Sequence, residues 1–328
     1  MNPELYKPFK NFEFADEKCF LTGEIVDFAE EQISVFSPWI MNRYELNDKT
    51  IVMLAENEVK YQDLKLPCSQ KVISEFINPL EKEIETAFTT GYEAVMQLPE
   101  KTLFQWMGKL VYGVLYNDII YGIKQQSAKG KQFTLSPLLT KKISTLHCML
   151  QSLVIPMEFV NTPWSIEVVK LNYSKDIFNY KDETKNLNFS LGMNGFGIIA
   201  CLQDNGENSR FHEDLIQQIG DTALHSIQFE ELWSRFLYSN YLLVNPADYL
   251  FSPSDNRILV SAIPNDGQSA PIFNKWDDKL FAQVLANYWK PWGLTMKDIV
   301  TFPNPPISYL IDEYSNQFIL PESIDLPS

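Results

Sequence analysis

Apolar side chains recur at helical spacing through the middle of the chain, and this pattern predicts two long helices. In the first segment the recurring positions are Leu103, Trp106, Met107, Leu110, Val114 and Leu115. Steps of three and four residues are typical of a helix with a buried face. The segment from Pro137 to Val154 repeats the pattern, and Pro156 should end it because proline cannot continue a helix. Further helices are predicted for Cys68 to Thr90 and for residues 211–220, 227–243 and 277–290.

Short runs rich in β-branched and aromatic residues predict a small sheet. The runs are WSIEVVKLNY (164–173), LNFSLG (187–192) and GFGIIACLQD (195–204), and the polar stretches between them are interpreted as loops. We therefore expect three antiparallel strands within about residues 164–204. The stretch Gly192–Gly197 lacks the spacing and the following helix of a phosphate-binding loop, so it is interpreted as a turn between strands.

Smaller elements are predicted near the N-terminus. Phe36 to Tyr44 is expected to form a short helix, with Ser37 as its cap and Pro38 in its first turn. The alternating segment that follows predicts a β-hairpin that turns at Glu56 and Asn57.

The patterns together predict an α+β protein. A small N-terminal module should span residues 1–90, and a mostly helical body that contains the small sheet should span 91–328. The 45% hydrophobic and 21% charged content is that of an ordinary folded protein. The formal net charge is −15. Because nucleic acid is bound mainly through Lys and Arg, this balance argues against it and better suits a cationic protein partner.

The positions of the cysteines and the hydropathy of the sequence indicate the cellular compartment and the redox state of the thiols. The four cysteines are widely spaced, at positions 19, 68, 148 and 201, and no Cys-x-x-Cys pair is present. The first residues do not form a signal peptide, and no run of about 18 apolar residues occurs. We therefore expect a soluble, cytoplasmic protein with reduced thiols, no membrane span and no cofactor.

Three short islands resemble the bacterial HNH-endonuclease-like proteins, whose fold is a treble-clef zinc module. They are CFLTG (19–23), ISVFSPWI (33–40) and LPCSQKV (66–72). The family pattern has a Cys-x-x-Cys knuckle, then a stretch like Glu-His-Val-Phe-Pro-x-Trp-Leu, then a second Cys-x-x-Cys knuckle after a β-hairpin. Segments of the second half, such as LHSIQFEELWSRFLYSNYL, are similar to the helical extension of larger family members.

The zinc positions of that pattern are mostly changed. Cys19 and Cys68 stand at two of them, but Thr22 replaces the second cysteine of the first knuckle. Lys71, or Val72 in the alternative register, replaces the second cysteine of the other. Structural zinc needs four soft or borderline ligands, so we expect no metal at these remnant positions.

The catalytic pattern is also missing. Ser34 stands where the family has its histidine, and no histidine occurs before residue 147. HNH hydrolysis needs a histidine to activate water and a divalent cation to polarise the phosphate. Residues 1–75 carry 8 Lys/Arg against 14 Asp/Glu, which repels a phosphate backbone. The resemblance therefore implies a scaffold without its chemistry.

The three histidines have different predicted roles. His147 lies in a helical run and is expected to pack in a core, whereas His212 is expected to be solvated at a helix start. His225 lies beside Ser226, a good helix cap. It is the best single candidate for a polar site, with Glu230 or Glu231 about one turn further on.

Three hypotheses about function remain open. The first is a catalytically inactive HNH relative that acts as a binding or structural protein. The second is an enzyme of another class, with a site near His225, Glu230 and Glu231. The third is an acidic, immunity- or inhibitor-like protein that meets a cationic partner.

Overall fold

Helices and short strands alternate along the chain, which confirms the predicted α+β class. The computed structural model describes residues 4–10, 17–53, 57–263, 271–300, 305–312 and 314–326. Its strands are β1 Gln32–Ser34, β2 Thr50–Val52, β3 Glu58–Lys60, β4 Lys65–Pro67, β5 Met157–Phe159, β6 Ser165–Lys170, β7 Phe178–Glu183, β8 Asn188–Met193, β9 Phe196–Cys201, β10 Asp248–Ser254 and β11 Arg257–Ile263. Its α-helices are α1 Pro38–Arg43, α2 Gln70–Val72, α3 Asn78–Thr90, α4 Tyr92–Val95, α5 Glu100–Ala128, α6 Pro137–Leu150, α7 Glu207–Phe211, α8 Glu213–Ile219, α9 Ser226–Leu242, α10 Asp278–Tyr288 and α11 Met296–Ile299.

The chain divides into two units, and each is made of separate stretches. The first unit comprises Met1–Thr90, Gln97–Asn161 and Tyr249–Ile263. The second comprises Gly91–Met96, Thr162–Asp248 and Pro264–Ser328. The first unit thus continues past residue 90, the boundary placed from sequence, because α5 packs against α3 and β4.

Helix α5 is the centre of the first unit. It is 29 residues long and carries buried side chains on all sides between Leu103 and Tyr116. A Cβ atom added at Gly113 would lie 2.7 Å from the side chain of Val35, so the missing side chain allows this close approach. Helix α6 follows and ends before Pro156, as its sequence predicts.

Two small two-stranded sheets also belong to the first unit. The antiparallel hairpin of β2 and β3 is confirmed, although residues 54–56 of its predicted turn lie outside the described residues. Strand β1 pairs antiparallel with β4, with Gln32 opposite Pro67. The predicted helix from Cys68 to Thr90 is present as α2, a π-helical turn at Ile73–Ile77, and α3.

A three-stranded sheet of the first unit, in the order β10-β11-β5, is absent from the sequence prediction. Its strand β11 runs parallel to β5, and Ile258 lies opposite Met157. Pro253 within β10 weakens the strand pattern, since proline removes a backbone donor. The reversal after β10 uses Asp255 and Asn256, both at positive φ, which is typical of a two-residue hairpin turn.

The second unit is built on an antiparallel sheet in the order β6-β9-β8-β7. The expectation of three strands is wrong, because the stretch interpreted as a loop contains β7. Its sequence, FNYKDE, lies at a sheet edge with every residue half-buried, so it shows no apolar alternation. The predicted turn between β8 and β9 is confirmed, with Asn194 and Gly195 at positive φ.

Helix α9 forms the core of the second unit with this sheet. A Cβ added at Gly192 or Gly197 would lie 3.2 Å or 2.4 Å from Phe229, so the two glycines make room for this ring. Trp233 and Phe236 of this helix are fully buried in the same core. Among the described residues, no helix combines the length and apolar character needed to cross a membrane.

Candidate functional site

Backbone hydrogen bonds place Cys19 and Cys68 opposite each other in the first unit. Residues 19–23 form a tight turn, here called the knuckle turn, in which the Gly23 N–H donates to the Cys19 carbonyl (2.9 Å). The Phe20 N–H donates to the carbonyl of Pro67 at 2.8 Å and ties the turn to the end of β4. Cys68 follows Pro67 directly, and α2 begins two residues later.

Hydrogen-bond donors surround the sulfur of Cys19. Both cysteines of the pair are fully buried. The Cys19 sulfur accepts from the Cys68 thiol, the Thr22 hydroxyl and the backbone N–H groups of Ser69 and Leu21. The bond from Cys68, followed by the other donors, lowers the pKa of Cys19 to about 5 even though burial opposes this. The same bond and burial raise the pKa of Cys68. The hydrogen bond therefore makes Cys19 the more acidic thiol of the pair.

The other positions marked by the sequence lie in different settings. The single hydroxyl proton of Thr22 has two acceptors within reach, the Cys19 sulfur and a carboxylate oxygen of Glu24 at 3.2 Å, and can be donated to one of them at a time. Lys71 is exposed on α2. Ser34 lies on β1, where its hydroxyl accepts from the ammonium of Lys65 at 2.8 Å. Cys19, Thr22 and Cys68 thus meet, whereas Lys71 and Ser34 do not join them.

These residues do not fit a tetrahedral zinc site. Such a site needs four ligands drawn mainly from cysteine, histidine and carboxylates. Within the described ranges, no group of three or more Cys, His, Asp or Glu side chains has the geometry to hold a metal. The Cys19 sulfur is held by protein donors instead.

A cleft of about 240 Å³ opens beside the knuckle turn. Its lining includes Tyr6, Leu21, Thr22, Lys71, Glu75 and Gln151. The lining combines an ammonium group, carboxylates and an aromatic ring. The cleft therefore suits a small polar ligand or a side chain of a partner better than an apolar molecule.

His147 supports the knuckle turn from the side of α6. Its Nε2 lies 2.5 Å from the carbonyl oxygen of Phe20, and its Nδ1 lies 3.4 Å from the amide nitrogen of Gln151. Since a carbonyl can only accept, Nε2 carries the proton and Nδ1 accepts from Gln151. Gln151 in turn bonds both backbone groups of Tyr6. Burial lowers the pKa of His147 to about 4. The ring is therefore neutral and structural, which confirms its expected core position.

A buried ion pair also lies in the first unit. Lys109 of α5 donates to Glu81 of α3 and is only 1% exposed. Ser37 stands at the N-cap position of α1, as predicted, but makes no capping hydrogen bond from its side chain. Its hydroxyl donates to Glu81 instead and accepts from the indole N–H of Trp106 at 3.2 Å.

In the second unit, His225, Glu230 and Glu231 do not form one site. The Nδ1 atom of His225 accepts from the Ile227 N–H at 3.3 Å, so this histidine is itself the cap of α9. Glu231 accepts from Arg235 and from the backbone of Tyr309, each at 2.7 Å. These two roles are structural.

His212 departs from its sequence prediction. It is 5% exposed instead of solvated, and its Nε2 lies 3.0 Å from the Ser239 hydroxyl. Burial lowers its pKa to about 3. The helix predicted over 211–220 is present as α8, and His212 lies between its first residue and the end of α7 at Phe211.

Asp204 begins a turn between β9 and α7 and is buried. It accepts from the Ser165 hydroxyl at 2.5 Å and from the backbone N–H of Asn208 at 2.8 Å. Burial raises the pKa of Asp204, although these bonds oppose the shift. The carboxylate thus fastens the start of α7 to β6.

Glu230 instead belongs to a polar cluster with the edge strand β7. Its Oε1 accepts from Lys181 at 2.6 Å and from the Asn179 amide at 2.8 Å. Ser190 lies directly opposite Lys181 on β8. In the described part of the chain, the Ser190 hydroxyl and Glu230 Oε2 are buried without a hydrogen-bond partner. Burial lowers the pKa of Lys181, and Glu230 opposes the shift.

Comparison with protein-family models, curated proteins and solved structures finds no match for this chain. Its function must therefore be argued from its own residues.

Proposed function

We propose that the chain is a catalytically inactive relative of the HNH nucleases that acts as a binding or structural protein. The observation that carries the proposal is the meeting of Cys19, Thr22 and Cys68 at the start of a helix. In the HNH-like pattern, knuckle residues meet around zinc. Here they meet around a buried sulfur that receives protein hydrogen bonds.

The arrangement lacks the groups that phosphodiester hydrolysis needs. Ser34, at the position of the family histidine, is bonded to Lys65 and has no basic nitrogen. His147 has both ring nitrogens engaged, by Phe20 and Gln151, and is fully buried. A general base must reach the water from which it takes a proton, and neither residue meets that condition.

Binding is supported by the cleft beside the knuckle turn. Lys71 and Glu75 offer opposite charges at its rim, and both are exposed. The side chains of Leu21 and Val72 form an apolar part of its lining. A short polar segment of a protein partner, or a small zwitterionic molecule, has the chemistry that this lining favours.

Metal content and nuclease activity of the purified full chain test the proposal together. We expect less than about 0.1 zinc per chain by elemental mass spectrometry, because two sulfurs hold zinc poorly. We also expect no cleavage of DNA or RNA with added Mg²⁺ or Mn²⁺. About one zinc per chain, lost in Cys19→Ser but kept in Cys148→Ser, would overturn the proposal. So would metal-dependent cleavage with the same dependence on Cys19.

A second candidate function is a ligand or enzyme site in the second unit, at Lys181 and Glu230. It is favoured by the partnerless Glu230 Oε2 and Ser190 hydroxyl beside a buried ion pair. Buried polar atoms are almost always satisfied, so water or a ligand is expected to reach them. The site is centred on Glu230, and His225 is bound elsewhere as a helix cap.

Thermal-shift measurements with a panel of small polar metabolites test this second function. A ligand of this site should raise the Tm of the native chain and of His225→Ala, but not of Glu230→Gln. If no compound separates Glu230→Gln from the native chain, the second function is rejected.

A further inference from the structure

We propose that Cys19 and Cys68 form a dithiol that hydrogen peroxide converts into a disulfide, locking the knuckle turn to the start of α2. This inference goes beyond the proposed function, since it needs neither nuclease ancestry nor a bound ligand. It assigns a redox modification site to two residues that are free thiols in the structure.

The backbone geometry suits a disulfide. The Phe20 N–H donates to the Pro67 carbonyl, and the two cysteines are the neighbours of these residues on facing segments. Disulfides form at Cα separations of about 4.4–6.8 Å. The sulfurs are already in hydrogen-bond contact, so little backbone movement is required.

The surroundings of the pair assign the two chemical roles. Thiolate is the nucleophilic form of cysteine, and Cys19 receives the stabilising donors from Thr22, Ser69 and Leu21. Cys68, which keeps the proton, is then the resolving thiol. Burial raises the pKa of Cys148 to about 11, and it also raises the pKa of Cys201. These two cysteines therefore serve as unreactive internal references.

The reaction is balanced with hydrogen peroxide as the oxidant. The Cys19 thiolate attacks one peroxide oxygen, the O–O bond breaks, and hydroxide leaves to give a sulfenic acid. Cys68 then attacks the sulfenic sulfur, the S–O bond breaks, and water leaves with the proton of the Cys68 thiol. The hydroxide takes up from the solvent the proton that Cys19 released on ionising. Two electrons thus pass from the two sulfurs to the peroxide, which ends as two waters. A dithiol such as dithiothreitol reverses the cross-link.

The cleft supplies the route for the oxidant. Both sulfurs are fully buried, but the cleft is lined by Leu21 and Thr22. The Thr22 hydroxyl contacts the Cys19 sulfur. Thr22 therefore lies both on the cleft and against the Cys19 sulfur, and the cleft is the side from which we expect hydrogen peroxide to approach.

The disulfide would join the knuckle turn to the start of α2 by a covalent bond, as a zinc ion joins the two knuckles of the HNH-like pattern. It closes a loop of about 50 residues, which constrains the unfolded chain. We expect oxidation to raise the Tm of the first unit by roughly 5–10 °C.

Mass spectrometry of the full chain after exposure to hydrogen peroxide tests the inference. We expect loss of two hydrogens, a peptide that links Cys19 to Cys68, and free Cys148 and Cys201 after alkylation in denaturant. Dithiothreitol should restore the original mass. The variant Cys148→Ser with Cys201→Ser leaves only the pair and should give the same product and Tm shift.

Two results would overturn the inference. One is sulfinic acid at Cys19 without a link to Cys68. The other is a pair that remains reduced at peroxide concentrations that oxidise free cysteine completely. Because Cys19→Ser removes a buried contact, we use it only to confirm that the cross-link disappears. The double variant at Cys148 and Cys201 carries the test if Cys19→Ser does not fold.

Discussion

Lys109 and Glu81 form an ion pair inside the first unit, with Lys109 only 1% exposed on a helix that is otherwise apolar at its centre. The carboxylate also accepts from the Ser37 hydroxyl, which in turn accepts from Trp106. The pair therefore joins α1, α3 and α5 through one charge-assisted network. A buried charge is costly unless its partners are present, so each member of the network depends on the others.

Breaking this pair from one side should be severe. We expect Glu81→Gln to lower the free energy of unfolding by about 3 kcal/mol, because it leaves the Lys109 ammonium buried without its counter-charge. Lys109→Met should cost less, since Glu81 is 15% exposed and keeps its bond from Ser37. The double variant, Glu81→Gln with Lys109→Met, should recover part of the free energy of unfolding that Glu81→Gln loses.

Urea unfolding of the two single variants and the double variant measures these effects. An exposed pair, Lys60 and Asp48, provides the matched control, and Asp48→Asn should leave the free energy of unfolding almost unchanged. Equal small losses of unfolding free energy at the buried and the exposed pair would show that burial does not make the Lys109–Glu81 pair more important for stability.

The buried histidines should make the fold sensitive to acid. The folded-state pKa of His147 is about 4, below its ordinary value of 6.5, because burial disfavours the cation. The unfolded chain therefore binds the proton more readily between these two values. The stabilising contribution is complete above about pH 6.5 and is lost as the pH falls towards 4. The shift corresponds to about 3 kcal/mol for this one residue.

Urea unfolding of the native chain and of His147→Gln between about pH 7 and pH 4 checks this prediction. The native chain should lose more stability than the variant, by up to about 1.4 kcal/mol per pH unit. His225→Gln is the control, since that ring is half-exposed. If His147→Gln and the native chain show the same acid dependence, the proposed burial of a neutral ring is wrong.

Adding two cysteines near Cys19 and Cys68 should create a zinc site if the knuckle turn and the start of α2 can bring four sulfurs together. We expect Thr22→Cys with Lys71→Cys to bind about one zinc per chain, because the chain then offers four thiolate ligands in this region. Val72→Cys in place of Lys71→Cys tests the alternative register. Thr22→Cys with Thr86→Cys adds the same number of thiols but places one on the exposed face of α3. Zinc binding equal in all three variants would show that the knuckle has no special geometry.

The partnerless hydroxyl of Ser190 allows a test of whether its surroundings are occupied. In a dry interior, Ser190→Ala should raise the free energy of unfolding by up to about 1 kcal/mol, since a buried polar atom without a partner is costly. Ser165→Ala should instead lower it by about 1–3 kcal/mol, because that hydroxyl donates to Asp204. Calorimetric or urea unfolding measures both. A loss of stability in Ser190→Ala would mean that a bound water or ligand satisfies the hydroxyl.

Long elements with strong local patterns are the part of the fold that could be predicted. Helices α6, α9 and α10 begin and end within a few residues of their predicted limits, because apolar period and proline positions are local signals. Helix α5 contains all of its predicted apolar positions but continues to Ala128. Strands β7, β10 and β11 were missed. Their side chains are mostly half-buried or exposed. Because neither face of these strands is fully buried, apolar and polar residues alternate little along their sequences.

The residues of the candidate site could be marked only through the resemblance to the HNH-like pattern. Cys19 and Thr22 lie in one of its short islands and Cys68 lies in another, 49 positions after Cys19. The bond between His147 and Phe20 joins residues 127 positions apart, and no local pattern reveals it. The same holds for Lys181 and Glu230, which lie 49 positions apart.

The parallel pairing of β5 with β11 has a consequence for biosynthesis. Residues 157–159 leave the ribosome about a hundred residues before residues 257–263, their partners. The first unit therefore cannot be completed until the strands and α9 of the second unit have already been made. A nascent or truncated chain that ends before residue 257 presents the β11-facing edge of β5 unpaired. Unpaired strand edges invite wrong pairing, so chaperone capture of such chains should decline sharply once β11 emerges.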